Sequence, residues 1–597
     1  MKKALQNKKN WIAIGVILIA VLSLLSIQAL SGNVIVGYDT FFHFNRIYDT
    51  AMQIEHQRFS YFMANYGYVQ SGQIVNAVYG PYMAYFLGFL LFITHSWVNF
   101  ELLSDFILLF VSGIGAFTLF RRLKINYILA TAGAIIFLSQ NFTTYWITSS
   151  AFLDWGSMML PFAVMIGLDL LDGSPKKIHV TLALVVAILI EMHILSAVIT
   201  VLMLIPFFIV GILRSTEKMQ YLKRVCLNAG LALLLGANYF AAFANVFGSN
   251  HLISPFRVQS LQSGGMQFSS NTLMQGGMGI VFIIIVIAQI IFILFNLNRS
   301  KLNAMFTIIG LAFFALSSEL FPWDAIGKSF PVFLDFLQFP SRFYAVAAIM
   351  LLTGFLLSVN QFMGQVRFKA VKKIYGGLVI VLAMVSVFVG MANIRQQLNN
   401  NWKDYNIAPQ AGVYAQHLLP YGYYAKQVSN EGIRKDFQKN DLHLALADSI
   451  RSNTDYLPNH SKLRQPSNLQ DLYKNQLTDN TAFNKEHQKD GSMKVSWHSR
   501  QKRMTMIPEV VYHDSVVKLN GHRLQPAKTL VNGQYTPGKF QLSQIGGLYV
   551  PAKVGHNELN VKYQEPFYVK MAIMASLLGW ILTFGYLGYR GIKNLTK

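Results

Sequence analysis

Lys8-Lys9-Asn10-Trp11-Ile-Ala-Ile-Gly-Val-Ile-Leu-Ile-Ala-Val-Leu-Ser-Leu-Leu-Ser-Ile-Gln-Ala-Leu30 is followed, after the six residues 31–36, by Gly37-Tyr38-Asp39-Thr40-Phe41-Phe42-His43-Phe44-Asn45-Arg46. The apolar run 11–30 is close to the roughly 20 residues needed to cross a bilayer core. Lysines precede it, and no small-x-small cleavage site follows, so it is expected to stay as a first span rather than be removed as a signal peptide. The polar cluster after it then falls at the far, outer surface of the membrane.

Composition supports lipid as the solvent. Of the 597 residues, 53% are hydrophobic and only 13% charged, more apolar chain than a water-soluble core requires. The net charge of +23 does not point to nucleic acid, because the basic residues fall largely in short clusters between apolar runs, where they act as topology signals. The single cysteine, Cys226, can build neither a disulfide framework nor a thiolate metal site.

Further apolar runs lie at about 99–120, 126–140, 149–170, 178–192, 194–213, 225–246, 277–296, 303–317, 343–360, 374–392 and 568–588. With the first they predict an α-helical polytopic membrane protein of about twelve spans. If the N-terminal lysines lie inside, so do Arg121, Arg122 and Lys124, Lys176 and Lys177, and the basic groups within 214–224, 299–301, 367–373 and 590–597. Both ends are therefore expected in the cytoplasm. The run 81–94 is too short for a crossing and is expected to lie in the interface or re-enter, as a second membrane-hugging piece of a first outer loop spanning 31–99.

Between 393 and 566 the apolar periodicity breaks up, and an extracytoplasmic α+β domain is expected, with 567–597 as last span and tail. Its first part, 393–490, reads as helices and loops. From about 493 it alternates as strands at 493–498, 504–512, 515–520, 540–550 and 557–563, with Asn520-Gly521 and Asn532-Gly533 as turn signals and a small β-sandwich as the result.

In a helix, Asp39, His43 and Arg46 share one face. Asp39 could serve as general base toward an acceptor hydroxyl while His43 or Arg46 offsets charge on a phosphate leaving group. A capped interfacial helix with Asp39 paired to Arg46 is the structural alternative. Tyr79, before Pro81, is either a sugar platform or part of an aromatic belt. Asp154, near a span end, is a functional residue or the partner of a neighbouring helix. Glu191 and His193 could bind a divalent metal, though two ligands make a weak signature. Arg342 in Gln338-Phe339-Pro340-Ser341-Arg342 stands near a helix start and could bind phosphate, or snorkel; Arg257 is a second anion candidate. The expected topology sets these residues at one outer level.

Gly37-x-Asp39-x-x-Phe42-His43-x-x-Arg46, Tyr79-Gly80-Pro81-Tyr82, Leu195-Ser196 beside His193, Gln338-Phe339-Pro340-x-Arg342-Phe343 and Asp455-Tyr456-Leu457-Pro458 together resemble the GT-C class of polytopic glycosyltransferases, and more closely the bacterial YfhO-like, or 6-pyruvoyl-tetrahydropterin synthase-related, membrane proteins. The resemblance implies a bacterial cytoplasmic-membrane enzyme. It would transfer a sugar from a polyprenyl-phosphate donor to a cell-envelope acceptor (teichoic acid, polysaccharide or glycolipid), with Asp39 as base, Arg342 and Arg46 or His43 at the donor phosphate, and no required cofactor. Two departures stand out. Thr40 and Phe41 follow Asp39 where many such enzymes pair acids, and Tyr-Gly-Pro replaces Tyr-Pro-Pro. No nucleotide-binding loop occurs in the cytoplasmic segments, which suits an energised lipid donor. A transporter or flippase of lipid-linked sugars is the first rival, although no internal repeat and no midplane charge supports it. A non-catalytic envelope assembly protein is the second.

Overall fold

The computed structural model describes residues 2–37, 39–255, 257–267, 279–296, 300–403, 423–425, 430–451, 453–464, 466–531 and 533–595. Tyr38, Phe256, Arg299, Asn532 of the second turn signal, the first residues of the run 277–296, and 404–422 of the expected helix-and-loop region lie outside the described residues. The chain divides into two compact units: a helical one of Met1–Tyr38, Glu101–Ala232 and Arg257–Asn401, and a sheet-bearing one of Asp39–Phe100, Leu233–Phe256 and Trp402–Lys597.

Among the described residues, six helices are long and apolar enough to cross a membrane: Lys8–Ser31, Trp97–Arg122, Ile194–Arg214, Pro340–Gln365, Lys369–Asn399 and Phe567–Arg590. A seventh is reached if Lys218–Leu235 and Ala237–Ser249 form one broken span. The break falls at Gly236, inside the run 225–246 expected as one helix. The run 149–170 is also divided. Ser150 takes a left-handed conformation that ends the helix Asn141–Ser149, and the chain restarts as Leu153–Met158 and then Leu160–Asp172. Pro161 stands in the first turn of the last of these, where its missing N–H leaves no helical bond unmade. Helices such as Tyr127–Leu138 and Thr181–Met192, of 12 residues each, rise about 18 Å, short of the roughly 30 Å hydrocarbon core.

Inside the helical unit, Tyr344–Gln365 is buried along most of its length. It is joined to Ile280–Asn296 and Lys301–Ser317 by a closed polar ring. Gln289 donates to Asn303 Oδ1 (3.0 Å) and Thr307 Oγ1 (2.7 Å), Asn303 donates to Ser358 Oγ (2.8 Å), and Ser358 donates back to Gln289 Oε1 (2.7 Å). Each side-chain amide thus finds a partner in an apolar setting where an unpaired one would be costly.

The sheet-bearing unit contains strands β1 (Tyr423–Ala425), β2 (Ser449–Arg451), β3 (Asn484–His487), β4 (Met493–Ser499), β5 (Arg503–Val510), β6 (Ser515–Leu519), β7 (His522–Arg523), β8 (Gln525–Pro526), β9 (Lys539–Leu542), β10 (Gly547–Ala552) and β11 (Gly555–Tyr563). One sheet runs β3-β4-β11-β6-β7 and the other β5-β10-β9-β8, while β1 and β2 pair separately. Side chains alternate inward along β4 and β11. Val495, Val517, Leu559 and Val561 of the first sheet share one core with Ile507, Phe540, Leu548 and Val550 of the second, the packing of a sandwich. The stretch 540–550, expected as one strand, is a hairpin. The Ser543 hydroxyl accepts from the Ile545 and Gly547 amides, and Gly546 turns at φ +74, a conformation open to glycine. At Asn520-Gly521 the chain turns between β6 and β7 as expected.

Residues 58–78 also belong to this core. Ala64 pairs with Gln73 across a short loop, Val510 N donates to Ser71 O (2.8 Å), Ile74 N donates to the Tyr512 hydroxyl (3.0 Å), and Gln73 reaches the carbonyls of Asn453 and Asp455. The Lys485 ammonium ties the loop to β5. It donates to Gln70 O (2.5 Å) and Pro508 O (2.6 Å) and pairs with Glu509 at 3.2 Å, with both side chains buried. Burial drives Glu509 up and Lys485 down, and their mutual contact opposes both shifts. Replacing Lys485 alone with Met should strand a buried carboxylate and lower stability by about 3–5 kcal/mol. Lys485→Met combined with Glu509→Leu should recover more than half of that loss. Thermal unfolding of the detergent-solubilised chain checks both.

Candidate functional site

The segment after the first span approaches its neighbours closely. A Cβ on Gly37 would stand 2.2 Å from Ser149 Cα, so only glycine fits there. In the sheet-bearing unit, Asp39 precedes the helix Thr40–His56 at its N-cap position. Its carbonyl accepts the first helical bond from His43 N (3.0 Å), its side chain makes no capping bond, and it is exposed.

The next turns are buried. Arg46 is 1% exposed. Its Nε donates to Asn76 Oδ1 (2.9 Å), Nη1 to His43 Nδ1 (3.1 Å), and Nη2 to the Tyr79 carbonyl. The guanidinium carbon stands 4.5 Å from the centre of the Tyr79 ring, a cation–π geometry. Burial lowers its pKa from the usual arginine value. Because a guanidinium only donates, His43 Nδ1 must accept, and the ring proton of neutral His43 sits on Nε2. His43 and Arg46 therefore come together as the helical spacing suggested, and Tyr79 joins them from the loop. Arg46 faces inward, with its three nitrogens on protein partners. Asn76, which also returns a bond to the Arg46 carbonyl at 3.3 Å, was not singled out from sequence; a lone asparagine in an aromatic loop carries no distinguishing pattern.

Lower on the same helix, the buried Asp49 accepts from the amides of Tyr66 (2.8 Å) and Gly67 (3.2 Å) and from Gln53 Nε2 (2.7 Å). Burial raises its pKa to about 6 in spite of these donors. Asn45 receives Tyr68 N at 2.8 Å. The inner face of the helix thus holds the loop 65–79 by its backbone. Near β3, burial lowers the His487 pKa to about 4.

In the helical unit, Arg342 lies in the 3-10 turn Pro340–Phe343 that opens the helix Tyr344–Gln365. It donates to Phe336 O (3.2 Å), Leu337 O (2.7 Å) and Gln338 Oε1 (3.3 Å), which stitches the preceding turn where Gln338 is left-handed. It stays half-buried. His193 Nδ1 accepts from Ser196 N at 3.2 Å as the cap of the helix Ile194–Arg214. Glu191, two residues earlier at the end of the helix Thr181–Met192, is buried. Among the described residues no group of three or more His, Cys, Asp or Glu could hold a metal ion. Arg257 faces Asp335 at 3.9 Å, an acidic neighbour that weakens it as an anion site. Asp154 is buried, and its Oδ2 accepts from Trp146 N at 2.6 Å.

Two more buried acids occupy the span Trp97–Arg122. Glu101 accepts from Gln28 Nε2 (2.5 Å) and Ile35 N (2.9 Å), and Asp105 is buried one turn on, next to Ser104, whose hydroxyl accepts from Trp146 Nε1 (3.3 Å). Sequence reasoning passed over them, although ionisable groups at i and i+4 within an apolar run were a readable signal.

Asp49 supports a pH prediction. Its folded pKa is raised above the unfolded value of 3.8, so the stability linked to its proton is present below about pH 4 and is lost as pH rises through about 6. The loss amounts to about 3 kcal/mol. Asp49→Asn should flatten this part of the stability–pH curve relative to wild type. Unfolding temperatures measured between pH 4 and 7 check it.

No family model matches this chain, and no curated protein matches it. Among solved structures, the cryo-EM structure of the arabinofuranosyltransferase AftD from mycobacteria is similar at 14% identity and a TM-score of 0.36, over 65% of this chain. This chain spans only 27% of that one. A likeness at this level assigns neither family nor residue roles.

Proposed function

We propose that this chain is a membrane glycosyltransferase of GT-C type, with about twelve spans, cytoplasmic termini and its sandwich outside a bacterial cytoplasmic membrane. It takes a sugar from a polyprenyl-phosphate donor and passes it to a cell-envelope acceptor. The observation that carries the reading is the exposed Asp39 carboxylate at the head of a helix whose following turns are locked by buried hydrogen bonds. A base on a rigid mount holds its geometry through the reaction.

In the proposed step Asp39 removes the proton of an acceptor hydroxyl. The oxygen bonds to the anomeric carbon as the bond from that carbon to the phosphate oxygen breaks, and polyprenyl phosphate departs with the electron pair. The bond broken already carries the energy, so no nucleotide takes part. Arg46 and Asn76 serve as positioning residues that keep His43 in one tautomer, and Arg342, half-buried beside Gln338, takes the phosphate-recognition role. Tyr79 offers its ring to the same helix. Asp154, with an oxygen on the Trp146 amide, acts in folding.

Purified chain incubated with a panel of labelled undecaprenyl-phosphate sugars and envelope extract should transfer label. Asp39→Asn should reduce the rate by about 10²–10⁴-fold while its unfolding temperature stays at the wild-type value. Equal rates from the two proteins would remove Asp39 from the mechanism. Lipid movement without a new glycosidic bond would replace the enzyme reading with a transporter.

A further inference from the structure

The β4–β5 and β10–β11 connections lie at the same end of the sandwich, each joining a strand of one sheet to a strand of the other. In the five-stranded sheet Gly555 pairs with Ser499 and His556 with His498, and in the other sheet Ala552 pairs with Arg503. Both connections therefore cross from one sheet to the other side by side. Residues 498–503 read His-Ser-Arg-Gln-Lys-Arg and 552–557 read Ala-Lys-Val-Gly-His-Asn, with no carboxylate in either. His498, Arg500, Lys502, Arg503, Lys553 and His556 are all exposed. Among the described residues Arg500, Lys502, Arg503 and Lys553 form no ion pair. The nearest acid along β11, Glu558, is held by Lys494 at 2.7 Å.

The turns are held in shape. Ser499 Oγ donates to Gln501 O (2.8 Å), while Asn557 accepts from Lys553 N (3.0 Å) and donates to Lys553 O (2.8 Å) and Gly555 O (3.1 Å). The cations thus form a strip from the face of one sheet, over the end, to the other sheet, a reach of at least the roughly 10 Å between packed sheets. That is too long for a single phosphate and suits several in succession. The strip also lies at the far end of β11 from the last span. β11 runs from Gly555 to Tyr563 before Phe567 opens the helix Phe567–Leu595, and at about 3.3 Å per residue the cations stand about 26 Å along the strand from that helix. A basic surface for the headgroups of the protein's own membrane would be expected beside the span.

We infer that this end of the sandwich is a docking surface for an extended polyanion, a linear polymer of repeating phosphodiesters outside the lipid bilayer. Like-signed charges held close on rigid turns repel one another, and a polymer that neutralises them releases its counterions on binding. The inference rests on the sandwich alone and needs no transfer activity.

The full chain in neutral detergent should bind fluorescent long-chain polyphosphate, read by anisotropy. Replacing Arg500, Lys502, Arg503 and Lys553 together by Gln should weaken binding by at least about tenfold and make it less salt-dependent. Removing four charges elsewhere, at Lys176, Lys177, Lys372 and Lys373, should leave both unchanged, and so should Asp39→Asn. Equal binding by the sandwich variant and wild type would overturn the proposal. So would a loss confined to phosphatidylglycerol vesicles with polyphosphate binding intact, which would identify the strip as a lipid contact. Unfolding temperatures of the variants establish that these exposed turn substitutions leave the fold in place.

Discussion

The inner face of the helix Thr40–His56 carries charge into a place without water, and the sheet-bearing unit is organised around satisfying it. Asn45, Arg46 and Asp49 point toward the loop 65–79, and their partners are chiefly that loop's own amides and carbonyls, with the Asn76 side chain. A buried guanidinium or carboxylate without partners would be expelled or neutralised. A loop of irregular backbone without partners would not stay buried. Each supplies what the other lacks. The loop, once held, lends its other edge to the sandwich through Ser71, Gln73 and Ile74.

This division of labour places the exposed and the buried polar groups in different roles. Asp39 is exposed at the N-cap position of the helix. His43 and Arg46 lie one and two turns inward, where they fix geometry. The helical unit follows the same principle with different chemistry. Gln289, Asn303, Thr307 and Ser358 close a ring of neutral hydrogen bonds. Glu101 accepts from the Gln28 side chain and the Ile35 amide, and Asp154 from the Trp146 amide. Apolar surroundings do not exclude such groups; they require each one to be answered locally.

Much of the architecture was legible because period is a local property. The alternation in β4 and β11 is visible residue by residue, and the helix Pro81–Thr94 begins at its proline as the sequence indicated. Where the reading departed from the structure, a short-range device intervened that hydropathy does not register. Ser543 folds 540–550 into a hairpin, Gly236 interrupts one apolar run, and the left-handed Ser150 with Pro161 breaks another. At the site, the helical spacing of His43 and Arg46 was readable. The inward turn of Arg46 was not, because Asn76 and the Tyr79 carbonyl that receive it lie about thirty residues away.

By itself the sequence determined the apolar composition that suits lipid, six of the twelve apolar runs as helices long enough to cross a membrane, the β-rich character of 493–563 and the position of Asp39 just past the first apolar run, since length, hydropathy and alternation act over a few residues. Only the tertiary structure decided that residues 39–100 belong with the sandwich, that Arg46 is consumed inside the protein, and that two crossings between the sheets bring six basic side chains to one end. Those outcomes depend on which distant backbone groups complete each buried polar atom and on strand register, and neither is written in any local stretch of residues.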